Sequence, residues 1–186
     1  MIHGVLIVNN SGQPRLIKFY TPIEVSVQQR LLKQVYNMLL ERSANQCNFM
    51  ALPPILLEAF DDGEEKIRVI YRQYATLNFV FMVDQQESEL GILDLIQIFV
   101  ESLDRCFESV CELDLIFGWE VLETVLEELI QGGMVLETSV AKIVDAVDMA
   151  NKAGTVDQGD TITAATRAIS SATSLFKYYI SPDVRR

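Results

Sequence analysis

The first eight residues constrain the fold more than any other stretch. From Met1 to Val8 the chain is apolar at nearly every position and β-branched at Ile2, Val5, Ile7 and Val8. A strand with one wet face would alternate apolar and polar residues. This one does not, so it is expected to be a central strand covered on both faces. Such a strand requires a layer of structure above it and another below. Asn9-Asn10-Ser11-Gly12 follows with strong turn chemistry, and Arg15 to Tyr20 reads as the partner strand of a hairpin.

Thr21-Pro22-Ile23-Glu24 has the residues of a helix start: Thr21 to cap, Pro22 for the first helical position and Glu24 to complete a capping box. The predicted helix runs to about Arg42 with an apolar stripe at Val27, Leu31, Leu32, Val35 and Leu39. Asn48-Phe49-Met50 reads as a short strand. Residues 51–65, with Pro53-Pro54 and the acidic run from Asp61 to Glu65, read as a surface excursion whose Ile55-Leu56-Leu57 packs back on the body. Lys66–Tyr74 and Leu77–Val83 are two further strands around a short turn at Ala75-Thr76.

A second helix is expected from Glu87 or Ser88 to about Phe107. Its apolar residues go nearly all the way round, which asks for the sheet on one side and another covering surface on the other. A third is expected over Trp119–Gln131, ended by Gly132-Gly133, and a fourth from a Ser139 cap to about Asn151. Residues 1–152 thus read as one domain and 153–186, rich in Thr, Ser, Ala and Gly, as a flexible C-terminal tail. Hairpin-linked strands on either side of a helix give an α+β fold, an antiparallel sheet with helices on its faces.

Composition narrows the function. The 186-residue chain carries a net charge of −11, which makes nucleic acid a poor partner and anionic lipid a repulsive one. Mean hydropathy is +0.20, high for a soluble chain, so a large core or a partner surface is expected to absorb the excess. Leu90–Phe99 is too short for a membrane span and contains Asp94 and Gln97, while the N-terminus lacks the basic region and cleavage site of a signal peptide. Cys47, Cys106 and Cys111 have no CxxC spacing and read as reduced, buried thiols of a cytosolic protein.

Reactive constellations are missing. His3 is the only histidine and reads as an ordinary strand residue. No glycine-rich phosphate loop, HExxH or metal-spaced Cys/His cluster occurs. Glu112 and Asp114 are two apart without the supporting residues that acid–base catalysis needs. The expectation is a binding or assembly protein, not an enzyme, with no cofactor and no metal.

Several blocks in order resemble one family. They are Asn9 to Gly12 followed by Arg15-Leu16 and Lys18-Phe19-Tyr20, then Ile70-Tyr71-Arg72-Gln73-Tyr74-Ala75 leading to Val83-Asp84. After these come Phe99-Val100-Glu101, Phe107 to Leu115, and Glu137-Thr138-Ser139. Together they resemble the small (sigma) subunits of heterotetrameric adaptor-protein complexes. Ser88 to Gln97, Gly132 to Glu137, the insertion before Lys66 and the long tail are most similar to the sigma chain of the third, delta-class complex.

The resemblance implies a longin-like fold with a five-stranded antiparallel sheet flanked by helices on both faces. It implies a delta-class large adaptin, a beta-class large adaptin and a mu subunit as partners. It also implies a cytoplasmic protein peripheral on Golgi, endosome and transport-vesicle membranes, sorting cargo towards the lysosome or vacuole.

The family reads acidic dileucine signals, in which an acidic residue precedes a Leu-Leu or Leu-Ile pair. Carried over by resemblance, the pocket wall is Ala75, Leu77, Val100, Val110, Leu113 and Leu115, with Glu112 as a pocket-side carboxylate. Arg15 is the expected contact for the signal's acidic residue through a charge-assisted hydrogen bond. Asn10 and Gln13 stand at positions that are basic in the sigma chain of the second complex, and Ser109 replaces an asparagine, which thins the positive rim. Apart from the family, Val100, Leu113 and Leu115 read equally well as core. The competing function is a longin-type scaffold of a membrane-tethering or small-GTPase regulatory complex.

Overall fold

The structure is a computed structural model that describes residues 1–43, 46–53 and 67–155, with side chains to residue 152. Five strands make one sheet: β1 (Ile2–Asn9), β2 (Pro14–Phe19), β3 (Phe49–Ala51), β4 (Arg68–Tyr74) and β5 (Leu77–Val83). Their order is β2-β1-β5-β4-β3, and each neighbouring pair is antiparallel. Every residue of β1 is buried, as the unbroken apolar run requires.

Successive strand side chains point to opposite faces, and the two cores separate along that alternation. Val5, Ile7, Phe79, Phe81 and Ile70 belong to one core. Leu6, Val8, Val80, Met82 and Val69 belong to the other. Register agrees: Val5 lies opposite Phe81 and Leu6 opposite Val80. The second core is closed by helix α1 (Val25–Leu40) through Leu31, Leu32 and Val35. The first is closed by helices α2 (Glu89–Cys106) and α4 (Trp119–Leu129), through Ile92, Leu95, Ile96, Phe99 and Leu103 of α2 and Leu122, Val125, Leu126 and Leu129 of α4. Phe99 meets Phe79 edge to face with ring centroids 5.8 Å apart. The α+β sheet with helices on both faces is therefore present as expected.

Several local expectations are corrected. Helix α1 starts at Val25 rather than near Thr21, and Glu24 is its extended N-cap residue without a side-chain cap bond. Thr21 lies 3.2 Å, Oγ1 to Nδ1, from His3 on β1, so its hydroxyl is engaged by the sheet rather than by a helix end. The helix ends at Leu40, and the Arg42 guanidinium beyond it donates to the Phe49 carbonyl on β3.

Helix α2 begins as expected, with Ser88 Oγ accepting from the Gly91 amide at 3.3 Å. Its second side is only partly covered: Leu93, Ile98 and Val100 are half-buried and Leu90 is exposed.

A short helix α3 (Glu112–Phe117) was not foreseen. Asp114 accepts from the Cys111 amide at 2.7 Å and closes a capping box around a cysteine, a residue not usually associated with N-caps. Gly118 joins α3 to α4 where a Cβ would lie 2.5 Å from Cε1 of Phe107.

Gly132-Gly133 does not end a helix. Both residues have positive φ and form the turn of a small hairpin, β6 (Ile130–Gln131) with β7 (Met134–Val135). Helix α5 (Val140–Thr155) follows Ser139, whose own amide donates to Glu137 Oε1. Residues Met1–Val147 form one compact unit. The surface excursion at 54–66, including Ile55-Leu56-Leu57 and the acidic run, and most of the expected tail (156–186) lie outside the described residues.

The cysteines also depart from expectation. Cys47 and Cys111 are exposed and Cys106 is half-buried. We therefore expect Cys47 and Cys111 to react with a thiol reagent in the native protein well before Cys106, as peptide mapping after timed labelling would show. Phe99→Ala removes a fully buried ring that meets Phe79, and is expected to cost about 3–5 kcal/mol in urea denaturation.

Candidate functional site

Two turns and the start of a helix meet at one end of the sheet. The β1–β2 turn is built by Asn9, whose Oδ1 accepts from the Ser11 and Gln13 amides at 3.0 and 2.8 Å. The β4–β5 turn places Ala75 at φ 51°, a left-handed conformation that costs an L-residue about 1–2 kcal/mol and that tight hairpins require. The Asn10 amide donates to the Thr76 carbonyl at 3.1 Å and joins these two turns. The third element is the start of α3.

Glu112, in the first turn of α3, is the centre of the polar contacts. Its Oε1 accepts from Arg15 Nε at 2.9 Å, from Arg15 Nη2 at 2.6 Å and from Asn9 Nδ2 at 3.0 Å. Its Oε2 accepts from Thr76 Oγ1 at 3.3 Å. Arg15 Nη2 also donates to Gln13 Oε1 at 3.0 Å. The Arg15 side chain is 13% exposed and that of Glu112 27%. Hydrogen bonds from Arg15, and then from Asn9, hold the Glu112 carboxyl below the usual glutamate range against the opposing cost of burial.

The expected site residues separate into three groups. Arg15 and Glu112 are in direct contact. Leu77 and Leu115 are buried in the core beneath α2 and α4, with Val100 and Val110 half-buried against the same cluster. Ala75 and Leu113 are on the surface, Leu113 at 60% exposure. Arg15 thus stands beside an internal carboxylate rather than open to an external one.

Asn9 and Thr76 are site members that the sequence reading missed. The one signal for Asn9 was its place at the head of a turn. Asp114 is held by the capping box while Glu112 is held by Arg15, so these two carboxylates do not act as a pair. Among the described residues no group of three or more His, Cys, Asp or Glu side chains could hold a metal ion. No helix among them is long and apolar enough to cross a membrane.

Comparison with known proteins adds independent findings. The family model described as clathrin adaptor complex small chain matches residues 1–154. A clathrin-associated AP-3 complex component of Candida albicans is 60% identical over 166 residues, covering 89% of this chain and 92% of that protein. The AP-3 complex subunit sigma of Saccharomyces cerevisiae is 57% identical over 159 residues, with 82% of each chain covered. The human AP-3 complex subunit sigma-2 is 43% identical over 175 residues, covering 94% of this chain and 87% of that one. A chain of a homology model of the full-length AP-3 complex in a stretched open conformation aligns with a TM-score of 0.64 and 55% identity, over 84% of this chain and 96% of that one.

The Arg15–Glu112 pair gives a pH-dependent prediction. The folded-state pKa of Glu112 is depressed, so its stabilisation is present above the ordinary value of 4.5 and is lost as pH falls through the folded value. Glu112→Gln is expected to lower stability near neutral pH by up to about 1 kcal/mol, as for other partly exposed pairs. Urea midpoints of variant and parent should converge as the pH is lowered through the folded-state titration of Glu112.

Proposed function

This chain belongs to the clathrin adaptor complex small-chain family, as the sigma-type subunit of an adaptor complex of the AP-3 class, and from that premise we propose that it helps read acidic dileucine sorting signals on membrane cargo bound for the lysosome or vacuole. Small subunits of adaptor complexes are trafficking components and not enzymes. The proposed partners are a delta-class large adaptin, a beta-class large adaptin and a mu subunit. The proposed place of action is the cytoplasmic side of Golgi, endosome and transport-vesicle membranes, with membrane contact made through the other subunits.

The observation that carries this reading is the meeting of one cation with an apolar cluster. Arg15 lies against the start of α3, and α3 continues into Leu115, which belongs to the same apolar core as Leu77, with Val100 and Val110 packed against that core. A signal with an acidic residue ahead of two leucines needs that combination: a guanidinium for the carboxylate and aliphatic contact for the leucines. For the leucines to enter, the half-buried Val100 and Val110 must part or the exposed Leu113 must supply a wall. Two partly buried leucines, each worth less than the roughly 1.5–3 kcal/mol of full burial and opposed by ordering costs, give weak binding that multivalent membrane attachment reinforces.

Exposed apolar side chains support a subunit role. Leu90 and Phe117 are 70% and 82% exposed, and they suit contact with large adaptins better than water. Membership in the small-chain family disfavours the competing reading as a scaffold of a tethering or GTPase-regulatory complex.

The test is co-expression with a delta-class trunk, a beta chain and a mu chain, followed by pull-down on an immobilised dileucine peptide. The parent tetramer is expected to bind. An intact tetramer with Val100→Asp is expected to lose at least roughly tenfold in affinity, because the new carboxylate would be desolvated beside the leucines. Equal binding by both tetramers would overturn the pocket assignment.

A further inference from the structure

We propose that Glu112 is a built-in competitor for Arg15, which the acidic residue of a cargo signal must displace. Glu112 thereby sets how strongly this chain prefers acidic over neutral signals. The inference rests on the dileucine reading of the same site and specifies how that site discriminates.

The geometry carries the argument. Two of the five N–H groups of the Arg15 guanidinium donate to a single oxygen of Glu112, at 2.9 and 2.6 Å, and Nη2 is shared with Gln13. With the side chain 13% exposed, little of the fork faces an incoming carboxylate. Asn9 and Thr76 add donors to Glu112 and hold it over the cation. An arriving carboxylate therefore meets a cation already neutralised by a neighbouring anion. Binding requires Glu112 to give up its contacts with Arg15, or the two carboxylates to share it at the cost of their mutual repulsion.

The exchange is nearly even in kind, one carboxylate–guanidinium contact for another. The gain from an acidic residue is thus the difference between two similar interactions rather than the whole of one. Apparent affinity falls by the fraction of molecules in which Arg15 is open. The leucine contacts are separate from this exchange, so a signal with a neutral residue at the acidic position loses little by comparison.

Glu112→Gln removes the competing charge and keeps the size and an acceptor oxygen for Asn9. The experiment uses the assembled tetramer and two fluorescent peptides, one with Glu upstream of Leu-Leu and one with Gln in its place. Binding is read by anisotropy for the parent, Glu112→Gln, Arg15→Gln and the double variant.

The expected result is that Glu112→Gln tightens the Glu peptide by roughly three- to fivefold, the scale of a partly exposed ion pair. The Gln peptide should change less than about twofold, and the gain should vanish in the Arg15→Gln background, as a double-mutant cycle requires. Thr76→Val, which removes one donor from Glu112, should act in the same direction by a smaller factor. It serves in place of Glu112→Gln should that tetramer not assemble.

Weaker binding of the Glu peptide, equal gains for both peptides, or a gain that persists without Arg15 would each overturn the inference. Leucine-dependent binding that Glu112→Gln leaves unchanged overturns the competitor role alone. Failure of both peptides to bind better than Ala-Ala controls, on parent and variant alike, overturns the dileucine reading and the competitor role with it.

Discussion

A sheet whose strands β1 and β5 carry apolar side chains on both faces must be covered twice, and the remaining architecture follows from that requirement. β1 is buried along its whole length, and β5 carries Phe79 and Phe81 into one core and Val80 and Met82 into the other. Each such side chain is worth roughly 1.5–3 kcal/mol when removed from water, so leaving either face open would forfeit much of the marginal stability of a domain. Helix α1 closes one face and helices α2 and α4 the other. The loops at the sheet ends are then brought together by strands whose spacing is already set.

That arrangement explains why the polar cluster sits where it does. Asn9 ends β1 and Arg15 is the second residue of β2, so their positions follow from the hairpin register. Thr76 is held by the β4–β5 turn, and the sheet places β5 beside β1. Only the start of α3 arrives from outside the sheet. The Arg15–Glu112 contact ties it to the strands, alongside the packing of Leu115 into the core.

The apolar excess expressed by the mean hydropathy is divided between two covered cores and a surface that is not fully polar. Helix α2 shows this within a single element. Its sheet-facing side, Ile92, Leu95, Ile96, Phe99 and Leu103, is buried, while Leu90 projects outward. A chain of an obligate complex is expected to look this way, because interfaces of permanent assemblies resemble a core cut in half.

The sequence by itself determined the strands of the five-stranded sheet, their antiparallel hairpins, the two-sided burial of β1 and the helices that cover the sheet. These depend on periodicities within a few residues, which burial imposes directly. It also carried the family resemblance, because that lies in ordered local blocks. Only the tertiary structure decided how polar groups are matched. Glu112 meets an arginine 97 residues away, Thr21 lies beside His3 instead of capping α1, a cysteine heads the capping box of α3, and Gly132-Gly133 turns a hairpin rather than ending a helix. A polar side chain satisfies its hydrogen bonds with whatever donor or acceptor the fold brings within reach, and that choice depends on which loops meet in space, not on local spacing.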